Sequence, residues 1–540
     1  MGSHSDLQTL LIGIDAACER VLEPLFDADE LPTLASIFET GASGPLESQI
    51  PPWTASAWPS LYTGTNPGKH GVFSFLSFDG YDWDVVNATD VRERTVWELL
   101  DRHGETSVVV NVPVTHPPRT FDGALIPGYT APEDPDCHPD GLLEEVRDAI
   151  GEYRVYPSRE DGVDLADAYR SCVRTRGEAF RYLADRFDPS FGFVQFQATD
   201  SIFHRRPDDD VAIRTIYREV DRQIERTLDA CDPDTVIVAS DHGMGPYDGY
   251  EFRVNDFLRE RGYVETQSGG RGMPTWATLR DRNLKEGEEA TRDGGERTPL
   301  EHAMAAAASV GLTSQRLGGV LERVGLAEFV AERVPAELVS AGAEQVDFPE
   351  STAYVRSRIE LGVRINLEGR EPDGVVPPAA YESVRSELVD ALRSVTTPDG
   401  EPVFETVAPR EEYFHGPESD RAVDVVTVPA AFDHFLSATL RGDQFGQPSE
   451  PWNHKLEGVV AVAGDGVDPA SGAGNAHLFD VAPTVLASLG VPADERMDGD
   501  VLPCVESAGT RQYPRFDGDR SVETADEDVE RRLADLGYLE

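Results

Sequence analysis

The chain has 540 residues, 39% of them hydrophobic, and carries 99 acidic against 48 basic side chains for a net charge of -51. That length exceeds one ordinary domain and predicts a large core with an insertion. The charge excludes a nucleic-acid polymer or an anionic membrane as partner, because either needs clustered Lys and Arg.

The five cysteines (Cys18, Cys137, Cys172, Cys231, Cys504) are scattered, with no CxxC pair and an odd total. They argue against a disulfide framework and against a cysteine metal cluster. The first residues, "MGSHSDLQTLLIGIDAACER", lack a basic start, and their apolar run ends at an Asp. No segment approaches the roughly 18 continuous apolar residues of a membrane span. A cytoplasmic protein is expected, and oligomeric state is left open.

In chain order, short apolar runs alternate with helix-like segments, the mark of α/β architecture. The runs are 9–15 (TLLIGID), 107–113 (SVVVNVP), 191–200 (FGFVQFQATD), 235–243 (TVIVASDHG), 422–429 (AVDVVTVP) and 458–464 (GVVAVAG). Segments 172–187 and 211–231 carry apolar residues at three and four spacing and predict amphipathic helices. Residues 265–299 are polar and Gly-rich and read as a loop, 299–334 as helical, 353–369 as strands and 379–395 as a helix. The predicted organisation is a discontinuous core over 1–262 and 422–510, an inserted α+β cap over 263–421, and an acidic, helical tail over 511–540. The core is expected to hold a mostly parallel central sheet flanked by helices.

The stretch 49–73, "QIPPWTASAWPSLYTGTNPGKHGVF", places Thr54 behind Pro51 and Pro52 and at the opening of a predicted helix. Pro-Pro fixes the backbone on entry, and hydroxyl residues favour the cap position. A helix N-terminus gathers N–H groups and partial positive charge, which suits an anion. Taken by itself, Thr54 is a cap.

Three apolar runs end in acid, at Asp15, Asp200 and Asp241. Open α/β sheets place ligands beyond the C-terminal ends of their strands, so three strands bring carboxylates to one edge. His204 lies four residues after Asp200 in "TDSIFH", His242 adjoins Asp241 in "SDHGMG", and His454 sits in "PWNHKLEG". Each alone is unremarkable: a turn residue, a chance helical pair, a surface histidine. Together, three Asp and three His match the oxygen and nitrogen ligands of two divalent ions, which phosphoryl-transfer sites place about 3.5–4 Å apart.

The order Asp, Thr, Asp-xxx-His, Asp-His, His resembles the alkaline phosphatase superfamily, and most closely its type I phosphodiesterase/nucleotide pyrophosphatase branch. "GIDA", "PPWTASAWPSLYTGTNPGKHGVF", "NVPVTHPP", "TDSIFH", "ASDHGMG", "NHKLEGVVAVAG" and "HLFDVAPTVLASLGVP" carry the resemblance. It implies an alkaline-phosphatase-like core and a phosphohydrolase of small phosphate-ester or nucleotide-like substrates. It implies Thr54 as a nucleophile forming a phosphothreonine. It also implies one metal on Asp15, Asp241 and His242, and another on Asp200, His204 and His454, the ions being zinc or manganese. The physics agrees, since metal coordination is one of the few ways to activate a Thr hydroxyl. The acid-rich, Lys-poor balance resembles proteins of salt-loving archaea.

The family's phosphate-binding Asn has no counterpart in "KHGVFSFLSFDG", leaving Asn111, Lys69 or His70 as substitutes, and His477 near the second-half motif. Three readings stand: a phosphodiesterase or pyrophosphatase, a monoesterase, phosphomutase or phosphotransferase on the same site, and a non-catalytic metal-binding member. The second needs basic groups from the cap, where Arg356, Arg358, Arg364 and Arg370 are the candidates. A non-catalytic member would lack a ligand or the nucleophile, and all seven positions are occupied.

Overall fold

The computed structural model describes residues 7–158, 162–268 and 344–516, together with Gly518, Val529 and Leu533. Its centre is an eight-stranded sheet. In chain order the strands are β1 (Thr9–Ile14), β2 (Ala42–Glu47), β3 (Ser107–Val112), β4 (Gly123–Pro127), β5 (Phe191–Phe196), β6 (Thr235–Ala239), β7 (Glu457–Gly464) and β8 (Ala476–His477). Across the sheet they run β8-β2-β7-β6-β1-β5-β3-β4. All pair in parallel except β7, which is antiparallel to both β2 and β6. β1, β3, β5 and β6 are buried at every position. Their unbroken apolar runs therefore reflect a sheet covered on both faces.

Helices supply the two covers. On one face lie α2 (Leu165–Phe187) and α4 (Asp210–Cys231), with the Phe180 ring where a Cβ on Gly192 of β5 would stand. On the other lie α1 (Thr54–Thr63) and α5 (Val481–Ser488). A Cβ on Gly13 of β1 would meet the Trp58 ring of α1 at 2.5 Å, so only glycine lets this helix approach so closely. Helix α3 (Ala198–Arg205) follows β5 directly.

Between β6 and β7 the chain builds a second unit, which differs from the expected cap. Segment 422–429, expected as a core strand, instead contributes Val425–Pro429 to a four-stranded antiparallel sheet with Ala353–Tyr354, Gly362–Ile365 and Phe404–Pro409. Helix Tyr381–Arg393 packs against it. A fully buried apolar run carries no sign of which sheet it joins, so the core resumes near 457 rather than 422. The expected helix 299–334 and nearly all of the loop 265–299 lie outside the described residues. Of the tail, Val529 and Leu533 are helical and buried. Among the described residues no helix is long and apolar enough to cross a membrane.

Asp424 locks the second unit. Fully buried, it accepts from Arg370 Nη1 and Nη2 (both 2.7 Å), Arg410 Nη1 (3.2 Å), the Tyr381 hydroxyl (2.7 Å) and the Ile365 N–H (2.7 Å). Burial pushes its carboxyl up, but the Arg370 guanidinium outweighs this and holds it at about 2. The stabilisation is present above the unfolded pKa near about 3.9 and is lost as pH falls through about 2. Asp424→Asn strands Arg370 and Arg410 as under-compensated buried charges. A loss of about 3–5 kcal/mol is expected, read as a lower urea midpoint of the second unit.

Candidate metal and phosphoryl-transfer site

The sheet explains how distant residues meet. β1, β5 and β6 are parallel neighbours, so Asp15, Asp200 (on α3) and Asp241 emerge at one edge. β7 runs the opposite way, so the short strand before it, Trp452–Lys455, returns to the same edge. There it pairs with Gly243–Pro246, placing His454 opposite Met244. Thr54, on the chain leaving β2, arrives there too.

Asp15, Asp241 and His242 form one group whose ligand atoms lie within 4.8 Å of one another. His242 Nε2 is 3.5 Å from Asp15 Oδ1 and 3.2 Å from Asp241 Oδ2. Each carboxylate is tied to the protein by one oxygen only. Asp15 Oδ2 accepts from Trp58 Nε1 (3.1 Å) and Gln195 Nε2 (2.8 Å), and Asp241 Oδ1 accepts from the Ala16 N–H (3.3 Å). The other oxygens, Asp15 Oδ1 and Asp241 Oδ2, are buried without a hydrogen-bond partner.

Asp200, His204 and His454 form a second group. Asp200 Oδ1 is 3.2 Å from His204 Nε2 and 3.4 Å from His454 Nε2, and the two imidazole nitrogens are 3.1 Å apart. His242 joins the groups, stacking on His454 with ring centroids 3.7 Å apart. Asp200, His242 and His454 also converge as a set of three.

The imidazoles are aimed by their far nitrogens. His454 Nδ1 donates to the Pro52 carbonyl (3.0 Å), and His242 Nδ1 to the Gly243 carbonyl (3.0 Å). A carbonyl only accepts, so both protons sit on Nδ1 and both Nε2 lone pairs face inward. Pro52 thus binds the loop that precedes Thr54 to His454 through its backbone oxygen.

Charge inside this pocket is frustrated. Burial, then the neighbouring carboxylates, push Asp15 and Asp241 well above the ordinary range. Burial also raises Asp200, but His204 and His454 outweigh it and hold the carboxyl well below that range. Burial lowers His204, yet Asp200 brings it up to about 9, whereas burial and then His454 keep His242 low. Three buried carboxylates with oxygens facing imidazole lone pairs are a donor set that a divalent cation satisfies. The residues fit such ions at both groups.

Thr54 differs slightly from its expected place. Trp53 occupies the cap position without a side-chain cap bond, and Thr54 is the first helical residue. Its Oγ1 stands 3.3 Å from His242 Nε2, fully buried. The hydroxyl is therefore presented to the site and not to its own helix.

The expected substitutes for the phosphate-binding Asn have other partners. Lys69 Nζ holds Asp498 Oδ1 (2.5 Å) and the Arg496 carbonyl (2.7 Å). His70 is buried, bonded to Ser60 Oγ (2.9 Å) and accepting from the Val72 N–H (3.2 Å); burial lowers it to about 3. Asn111 Nδ2 donates to Gln195 Oε1 (2.7 Å), so it braces Asp15 through Gln195. His477 caps the turn at Leu478–Asp480, its Nδ1 accepting from the Phe479 N–H (3.2 Å). Sequence reasoning missed Gln195, Trp58 and Glu450, the last of which is 3.6 Å from His204 Nδ1. A Gln inside a buried strand was the one available signal.

Residues 9–308 match the sequence pattern of the family described as type I phosphodiesterase / nucleotide pyrophosphatase. Among solved structures, phosphonoacetate hydrolase from Sinorhizobium meliloti 1021 is 16% identical, with a TM-score of 0.53 over 89% of this chain and 95% of that one. The alkaline phosphatase PafA is 15% identical, with a TM-score of 0.51 over 94% of this chain and 99% of that one. At such identities the likeness is one of fold. No curated protein sequence matches the chain.

Cations that bind the folded site alone stabilise it by about 2.7 kcal/mol at a hundredfold excess over Kd. Chelator treatment is therefore expected to lower the melting temperature in differential scanning calorimetry, and added zinc or manganese to restore it. An unchanged melting temperature would count against the two groups as cation sites.

Proposed function

Because the chain belongs to the type I phosphodiesterase/nucleotide pyrophosphatase family, we propose that it hydrolyses phosphodiester or pyrophosphate bonds through a phosphothreonine at Thr54. The observation that carries this reading is the buried Thr54 Oγ1, 3.3 Å from His242 Nε2 where the two ligand groups meet. Asp15, Asp241 and His242 hold one divalent cation, and Asp200, His204 and His454 hold the other, zinc and manganese both being suited to these ligands. When bound, the ions supply Lewis acidity, lowering hydroxyl and water pKa values and taking up charge on phosphoryl oxygens.

The chain's own residues do the rest. Thr54 Oγ1 gives up its proton and bonds to phosphorus as the ester oxygen departs with its electron pair and takes up a proton. Water then gives up a proton and bonds to the same phosphorus, and Oγ1 leaves with the pair and regains a proton. Pro51 and Pro52 fix the approach, and the α1 N-terminus adds positive potential where anionic oxygens sit.

The second unit favours a diester over a monoester. Arg356 pairs with Glu360 (2.5 Å), Arg358 with Glu450 (2.8 Å), Arg364 with Glu371 (2.8 Å) and Arg370 with Asp424 (2.7 Å). Each candidate cation for a doubly charged phosphate is thus matched by a carboxylate. A non-catalytic role is disfavoured because all seven positions are present and assembled.

Thr54→Ala is expected to cut turnover of bis-p-nitrophenyl phosphate at least about a thousandfold while bound metal and melting temperature persist. The assay runs in molar salt, suited to the net charge of -51. Wild type is expected to cleave this diester faster than p-nitrophenyl phosphate, and to lose that activity with chelator. Unchanged turnover in the variant would overturn the nucleophile assignment, and faster monoester cleavage would overturn the diester reading.

A further inference from the structure

The ion pair Arg358–Glu450 is unlike its neighbours in the second unit, because its carboxylate also faces the catalytic edge. Arg358 lies in the turn Arg358–Glu360, just beyond the short strand Ala353–Tyr354. Its guanidinium is 4% exposed and packs over the Phe435 ring, 4.3 Å from the centroid. Nη2 donates to Glu450 Oε1 at 2.8 Å. The other oxygen, Oε2, accepts from Asn453 Nδ2 at 2.7 Å and stands 3.6 Å from His204 Nδ1. Asn453 Oδ1 in turn accepts the backbone N–H of His454 at 2.8 Å. The Glu450 carboxylate is gripped on both sides, and its free direction is toward the imidazole.

We infer that Arg358 and Glu450 are positioning residues through which the second unit sets the affinity of one cation site, the one containing His204 and His454. This rests on the assignment of His204 as a ligand. A carboxylate at Nδ1 of a ligating histidine fixes the proton there, points Nε2 at the ion and makes that nitrogen more basic. Glu450 Oε2 faces His204 Nδ1 at 3.6 Å, an ion-pair separation longer than the 3.0 Å hydrogen bond by which the Pro52 carbonyl holds His454 Nδ1, and it orients the His204 ring through its charge. Arg358, itself buried, holds the half-buried Glu450 carboxylate in place at 2.8 Å, so loss of the guanidinium frees the carboxylate to turn away from His204. Asn453 ties the same carboxylate to the His454 backbone, so both histidines of one group depend on a single loop. Glu450 contacts Arg358, Asn453 and His204 and none of Asp15, Asp241 and His242. His242 meets this loop through its stack on His454, so the effect is expected chiefly at one equivalent.

The test counts zinc on the full-length protein equilibrated in buffers of graded free zinc, by inductively coupled plasma mass spectrometry, with circular dichroism to verify folding. His204→Ala serves as the control and is expected to hold one equivalent where wild type holds two. Glu450→Gln and Arg358→Gln are expected to hold two, with one of them requiring free zinc about 10–100-fold higher to fill and the other moved far less. Arg358→Lys is expected to restore much of the affinity lost in Arg358→Gln. Wild-type zinc binding at both equivalents in Glu450→Gln overturns the inference while leaving the ligand assignment standing. Wild-type binding in Arg358→Gln alone removes the second unit from it. Two equivalents in His204→Ala at wild-type affinity would instead overturn the ligand assignment, and the inference with it.

Discussion

Three carboxylates buried at one sheet edge set the terms for the rest of the molecule. Asp15, Asp200 and Asp241 are all at most 1% exposed, in a place where like charges repel with little water to screen them. Every surrounding feature limits that repulsion or directs it. Trp58 and Gln195 occupy one oxygen of Asp15, the Ala16 N–H occupies one of Asp241, and the remaining oxygens converge on His242 Nε2. Burying three carboxylates so close together is costly, and a divalent cation is the partner that would offset that cost.

The topology is what makes the convergence possible. A wholly parallel sheet would deliver strand ends to this edge but no strand beginnings. Reversing β7 alone brings the approach to that strand, and with it His454, beside the ends of β1, β5 and β6. The large insertion between β6 and β7 is accommodated at the same edge, because one flank is the Asp241–His242 loop and the other is the strand that carries His454. The second unit is therefore joined to the core by two segments, one carrying Asp241 and His242 and the other His454.

Much of this was legible in the chain. An apolar run ending in Asp is a buried strand with a polar end, and three of them announce a shared edge. Asp200 and His204 were readable as a helical pair, and Thr54 through the Pro-Pro that precedes it. Other features left no trace in residue type. The Pro52 carbonyl that aims His454 is a backbone atom, and any residue would display one. Gln195, Trp58 and Glu450 matter through position alone, and the Asp15 and His204 side chains they face are far away in sequence. Lys69 and His70 stood as substitutes for a phosphate-binding Asn because they lie in the stretch that follows Thr54. The structure turns Lys69 onto Asp498 and buries His70 against Ser60. Segment 422–429 misled for a related reason, since continuous burial is the same signal in either sheet.

The arginines of the second unit show how one sequence signal divides once geometry is known. Four guanidinium groups over 356–370 suggest a basic surface that receives phosphate, yet each is opposed by a carboxylate. In a chain with 99 acidic residues against 48 basic ones, an arginine meets an acid far more readily than a substrate. Three of the pairs stay within the second unit and hold its sheet and turns together. The fourth, Arg358–Glu450, crosses to the loop that carries His454, and its carboxylate faces His204. The difference between a structural ion pair and one that bears on chemistry lies here in what the carboxylate touches on its far side. That far side is set by the antiparallel β7 and by nothing visible in the arginine itself.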